Sequence, residues 1–138
     1  MTELLSVQGL SKRFSTGDGF IRAADDVSFT IDEGQTLALV GESGCGKSTV
    51  AHMVLQLLRP DSGRIIFDNQ EIGSGGAGDS AWRRQLSIVF QNPYSSLDPR
   101  MRVKDIVAEP LITVKRLKGQ ALNQMVARHL DDVGIAPS

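Results

Sequence analysis

At 138 residues, with 41% hydrophobic and 22% charged side chains, the chain has apolar material for one ordinary domain or a piece of a larger one. Fifteen basic residues stand against sixteen acidic ones, a formal net charge of −1, which argues against a nucleic-acid or anionic-membrane surface. The single cysteine, Cys45, excludes an intrachain disulfide and suits a reducing compartment. No run approaches the roughly 18 apolar residues of a membrane span, and Met1–Ser6 lacks the basic start of a signal peptide.

Leu5, Val7 and Leu10 open an alternating segment that ends near Phe14, and a glycine-containing loop, Ser15–Gly19, follows. Val27, Phe29 and Ile31 alternate as in a half-buried strand, closed by a turn at Asp32-Glu33-Gly34-Gln35. Thr36-Leu37-Ala38-Leu39-Val40 is short and apolar throughout, the pattern of a strand buried on both faces of a parallel sheet. After the stretch Gly41–Thr49, the residues Val50, Met53, Val54, Leu57 and Leu58 recur at helical spacing until Arg59-Pro60. Arg64–Asp68 and Leu86–Phe90 read as further strands, and the run Gly73–Gly78 between them as a flexible connection. Val103, Ile106 and Val107 share a helical face before Pro110. Leu122, Met125, Val126, His129, Leu130 and Val133 form an amphipathic stripe, with His129 expected to pack within it and His52 to lie on a helix surface.

The chemistry concentrates in Gly41-Glu42-Ser43-Gly44-Cys45-Gly46-Lys47-Ser48, which fits the phosphate-loop pattern G-x-x-x-x-G-K-[ST] and runs on into Thr49. A polyphosphate carries several charges that must be met without side chains blocking approach. Glycines at 41, 44 and 46 let the backbone wrap so that its N–H groups point inward. A helix starting near Lys47 adds free N–H groups and the positive end of its dipole. Lys47 would reach the β- and γ-phosphates, and the Ser48 hydroxyl would ligate Mg²⁺. A chance glycine-rich turn would need neither the apolar strand before it nor the helix after it.

Four further segments carry a resemblance to the ABC transporter nucleotide-binding domain: Leu10-Ser11-Lys12-Arg13-Phe14, Val27-Ser28-Phe29 with Glu33-Gly34, Arg59–Ile65, and Val89-Phe90-Gln91. Phe90–Met101 is similar to the Q-loop of subunits from peptide and nickel importers. The resemblance implies an α/β P-loop core with an antiparallel β flank over residues 1–94 and the start of a helical subdomain over 95–138. It implies that Phe14 stacks on adenine, with Phe20 the rival aromatic, and that Gln91 helps hold Mg²⁺ and the attacking water. Phe14 would otherwise only cap its strand, and Gln91 would be a plain polar loop residue. Tyr94–Met101 would either contact a membrane subunit or simply begin the helical subdomain.

ATP and Mg²⁺ are the implied cofactors. Transmembrane permease subunits and a second ATP-binding subunit are the implied partners, and the inner face of the plasma membrane is the implied location. A soluble P-loop ATPase unconnected with transport is the alternative, against which Tyr94–Met101 argues. The family pattern goes on to a Leu-Ser-Gly-Gly-Gln signature, an acidic Walker B strand and a switch histidine, none of which occurs in these 138 residues. The expectation is therefore nucleotide binding without turnover, and an apolar strand edge left uncovered.

Overall fold

The segment read as ending near Phe14 runs further: β1 (Glu3–Thr16) pairs antiparallel with β2 (Gly19–Asp32) in a computed structural model that describes residues 2–73, 82–92 and 96–135. The expected loop Ser15–Gly19 narrows to the turn Gly17-Asp18, because Ser15 pairs with Phe20 and Thr16 with Gly19. β3 (Ser62–Phe67) takes the other edge of β1, and β4 (Gln70–Ile72) pairs with β3, giving the order β2-β1-β3-β4, antiparallel throughout. Asp68 and Asn69 join the last two strands with φ of 48° and 60°. Those left-handed values are what a tight hairpin turn of the right twist requires, and Asp and Asn tolerate them. β4 carries no readable periodicity because it is three residues long.

The core of this first unit, Met1–Ile88, gathers Leu5, Val7, Leu10 and Ala24 with Ile65, Phe67 and Ile72 of the sheet. Helix α1 (Lys47–Val54) contributes Val50 and Met53, and Trp82, from the 3₁₀ turn Trp82–Arg84, closes the cluster. Leu10 and Met53 have no exposed surface. Burial of each such side chain is worth roughly 1.5–3 kcal/mol, which fixes the helix against the hairpin. Trp82 lies just past the glycine run; Ser74–Gly78 of that run is outside the described residues.

Two expected strands are absent as such. Thr36–Val40 and Leu86–Phe90 have no ladder partner among the described residues and no strand assignment. A strand buried in a parallel sheet exists only by virtue of neighbours on both sides, since its backbone polar groups have no other partners. Val40 is 90% exposed and Val89 94%: apolar side chains of both segments are uncovered, but the strand edge expected there does not form among the described residues.

The second unit, Val89–Ser138, is built on α2 (Val103–Thr113) and α3 (Gly119–Asp132). Ala108 and Leu111 pack against Val126 and Leu130, flanked by Val107, Leu117, Leu122 and Met125. α2 continues through Pro110 rather than stopping before it. Pro110 is exposed and removes one helical donor, while its own carbonyl still accepts from the Val114 N–H at 3.0 Å. His129 departs from expectation: it is exposed, and its Nδ1 lies 3.8 Å from Asp132 Oδ2 rather than in the apolar stripe. Three residues beyond Val126, it sits at the stripe's edge, beside Asp131 and Asp132 at the end of the helix.

Candidate nucleotide-binding site

The loop from Gly41 to Gly46 turns into α1 at Lys47, with Gly46 as the N-cap residue at φ 96°. A Cβ on Gly46 would stand 1.8 Å from the carbonyl oxygen of Ala23, so only glycine permits the approach of this loop to β2. The β1–β2 register skips Ala23, running from Lys12↔Ala24 to Arg13↔Arg22. Such a bulge turns a backbone carbonyl out of the ladder. Gly41 is likewise close, its absent Cβ lying 2.6 Å from Cys45 Sγ, whereas Gly44, at φ 84°, faces open space.

Lys47 folds back across the loop. Its Nζ donates to the carbonyls of Gly41 at 2.8 Å and Glu42 at 2.6 Å, and lies 3.5 Å from Cys45 Sγ. Inside the loop the Cys45 N–H donates to the Glu42 carbonyl at 3.3 Å, and the helix opens with Val50 N–H to Gly46 O at 3.0 Å. Glu42, Ser43, Gly44, Cys45 and Ser48 are exposed, and Thr49 is half-buried. The donor set fits a phosphate chain: one ammonium, a backbone with no side chain crowding it at Gly44, and the start of a helix. Ser48, exposed on the first helical turn, offers a hydroxyl oxygen of the kind a magnesium ion can take.

Phe14 stands on the same sheet. It pairs with Ile21 as Lys12 pairs with Ala24, and alternation puts Lys12, Phe14, Ile21 and Ala24 on one face. Ala24 belongs to the core beneath α1, so Phe14 projects on the side of the sheet that carries the phosphate loop. Phe20 pairs with Ser15 on the opposite face, where with Ser11, Arg13 and Asp61 it lines a cleft of about 540 Å³. Phe14 is 41% exposed, free to meet a ligand on its open side.

Two neighbours of Phe14, and the carboxylate behind one of them, escaped the sequence reading. Lys12 Nζ lies 5.9 Å from the Phe14 ring centroid, and Ile21 is its cross-strand neighbour. Asp61 accepts from Lys12 Nζ and from the Arg13 N–H, each at 2.7 Å. The hydrogen bond from Lys12 holds the Asp61 carboxyl below the usual carboxylate range, with help from the Arg13 N–H. Lys12 and Asp61 sit in segments singled out for other reasons, but no local pattern shows that positions so far apart in the chain meet.

Gln91 belongs to the second unit and is exposed. In the segment Tyr94–Met101 only Ser96–Met101 is described. There Arg100 N–H and Nε donate to Asp98 Oδ1 at 2.9 and 3.1 Å, and a further guanidinium nitrogen to Oδ2 at 3.0 Å. This clasp lowers the Asp98 pKa and raises that of Arg100. No helix among the described residues is long and apolar enough to cross a membrane.

Comparison with known proteins agrees with the loop geometry. The chain is 39% identical over 142 residues to a probable peptide ABC transporter ATP-binding protein of Sinorhizobium fredii, covering 97% of this chain and 40% of that protein. It is 40% identical over 139 residues to the oligopeptide transport ATP-binding protein OppF of Bacillus subtilis, covering 98% and 46%. The chain thus spans less than half the length of these curated relatives. Among solved structures, the ATP-binding cassette MJ0796, a dimer bound to ADP and Pi, superposes with a TM-score of 0.80 at 26% identity over 93% of this chain and 56% of that one. The cbiO1 protein of Clostridium perfringens, part of the ABC transporter complex cbiONQ, gives 0.74 at 30% identity over 98% and 52%. Residues 24–137 match the ABC transporter family, so with the phosphate loop inside that match the chain belongs to it.

Proposed function

We propose that this chain is part of the ATP-binding, energy-coupling subunit of an importer of di- and oligopeptides. Gly41–Thr49 holds the phosphates, with Lys47 on the β- and γ-phosphates and Ser48 on Mg²⁺. Phe14 carries the adenine, and Gln91 positions water and metal. The observation that carries the reading is the Lys47 ammonium, held over the loop by the Gly41 and Glu42 carbonyls beside a helix start that only Gly46 permits. Bound phosphate supplies ionised acceptors to that ammonium and to the loop N–H groups, the strong class of hydrogen bond. The peptide solute is supported by the names of the relatives.

In the intact transporter the partners are transmembrane permease subunits and a second ATP-binding subunit, at the cytoplasmic face of the membrane. Residues 1–94 act as ATP-binding core and β flank, and residues 95–138 begin the helical subdomain. The 138 residues by themselves bind Mg-ATP without turning it over, because a Walker B carboxylate and a signature segment do not occur among them. Equilibrium dialysis with Mg-ATP, together with phosphate release followed over hours, tests both clauses. Binding with release at background is expected. Absence of binding defeats the first clause, and release that scales with protein and vanishes in Lys47→Ala defeats the second.

A further inference from the structure

The β1–β3 ladder ends at Ser11↔Ser62, yet β1 runs on for five more residues to Thr16. Beyond that point Asp61 takes over. Its N–H donates to the Ser11 carbonyl at 2.9 Å, one carboxylate oxygen accepts from Lys12 Nζ, and the other accepts from the Arg13 N–H. One residue thus holds three consecutive residues of β1, doing with a side chain what a strand would do with its backbone. Lys12 passes the constraint on: its side chain is only 15% exposed, and its ammonium lies between Asp61 and the face of the Phe14 ring.

We infer that Asp61 is a positioning residue for the base of the nucleotide, acting through Lys12 to set the Phe14 ring at a fixed place relative to the phosphate loop. The inference rests on the adenine role given to Phe14 above. Asp61 lies in the turn that leaves α1, the helix that carries Lys47 and Ser48 at its other end. Gly46 against Ala23 locks the loop to β2, and Asp61 locks the far arm of β1 to the exit of α1. The base platform and the phosphate site are therefore tied together at two points, one on each edge of β1. A nucleotide must satisfy both sites at once, so slack in the Asp61 tie costs affinity only when the ligand has a base. The Lys12 ammonium adds a second effect: a cation against one face of an aromatic ring draws on its π-electrons and holds its orientation. Ile21 is the cross-strand neighbour of Phe14, which keeps 41% of its surface exposed for stacking.

The test uses two ligands and two residues in the full chain. Affinities for Mg-ATP and for magnesium tripolyphosphate, which has no base, are measured for the parent, Asp61→Ala, Phe14→Ala and the double variant. Asp61→Ala should weaken Mg-ATP by about three- to tenfold, part of the stacking energy of a base on an aromatic ring, and shift tripolyphosphate by less than about twofold. In the Phe14→Ala background the same change should cost less than about twofold for either ligand. Equal losses for ATP and tripolyphosphate would show that Asp61 only supports the loop, and the inference fails. An unchanged Mg-ATP affinity in Asp61→Ala, with a loss in Phe14→Ala, overturns the inference and leaves the adenine role intact. No loss in Phe14→Ala overturns the adenine role itself. Should Asp61→Ala fold poorly, Asp61→Asn, which keeps an acceptor for the Arg13 N–H, is read against the same outcomes.

Discussion

Replacing Gly46 by alanine separates two costs that coincide at one residue. Gly44 and Gly46 both have left-handed backbone, at φ 84° and 96°, but an added Cβ meets nothing within 4 Å at Gly44 and the Ala23 carbonyl oxygen at 1.8 Å at Gly46. Gly44→Ala therefore bears only the conformational penalty, about 1–2 kcal/mol. Gly46→Ala bears that and more, since contacts under 3.0 Å are essentially never seen and the obstacle is backbone. Displacing packed backbone by more than an ångström adds about 1–3 kcal/mol, for a total of about 2–5 kcal/mol. With a urea slope of about 1–1.5 kcal/mol/M, the midpoint should fall by about 1 M for Gly44→Ala and by roughly 2–3 M for Gly46→Ala. Trp82, only 4% exposed in the same core, reports the transition by fluorescence. If the loop yields instead of the fold, the excess should appear as lost Mg-ATP affinity, at least tenfold beyond that of Gly44→Ala. Gly46→Ala no worse than Gly44→Ala by both measures would refute the close approach to β2.

Met53→Ala, at a site with no exposed surface, should cost about 2–5 kcal/mol in urea unfolding, and a loss below about 1 kcal/mol would contradict the packing of α1 on the sheet. Cys45 is exposed within the loop, so maleimide should label it and Mg-ATP should slow the labelling several-fold; equal rates would speak against nucleotide in the loop. The Asp61 carboxyl should titrate below 3.8 by carboxyl NMR, and Lys12→Met should raise its midpoint; an ordinary midpoint in the parent chain would contradict the clamp. Because this pKa is depressed, the stabilisation it reports is present above the ordinary carboxylate value and is lost only as pH falls through the lowered one.

What local pattern could show, it showed. The phosphate loop carries its glycines, lysine and serine in one contiguous run, and the apolar alternation of Leu5, Val7 and Leu10 is a property of neighbours in sequence. Thr36–Val40 has an equally clear pattern, yet forms no ladder among the described residues, because pairing belongs to the partner as much as to the strand. β2 reaches back to Gly19, well before its readable alternation at Val27, because the skip at Ala23 and the left-handed Asp26 at φ 52° break the period. Trp82 was hidden behind a glycine run, and its burial follows from the core it meets. That Phe14 and Phe20 lie on opposite faces was not legible, since one residue of offset in a strand decides the face. The Asp61 clamp joins residues 48 and 49 positions apart, beyond any periodicity.

The central claim is that Gly41–Thr49 grips the phosphates of ATP through Lys47, and calorimetric titration of Mg-ATP into the parent chain and Lys47→Ala tests it most directly. Each charge-assisted bond lost is worth about 1.5–3 kcal/mol, so affinity should fall roughly ten- to a hundredfold while the far-ultraviolet circular dichroism stays the same. Superimposable titration curves for the two proteins would contradict the account.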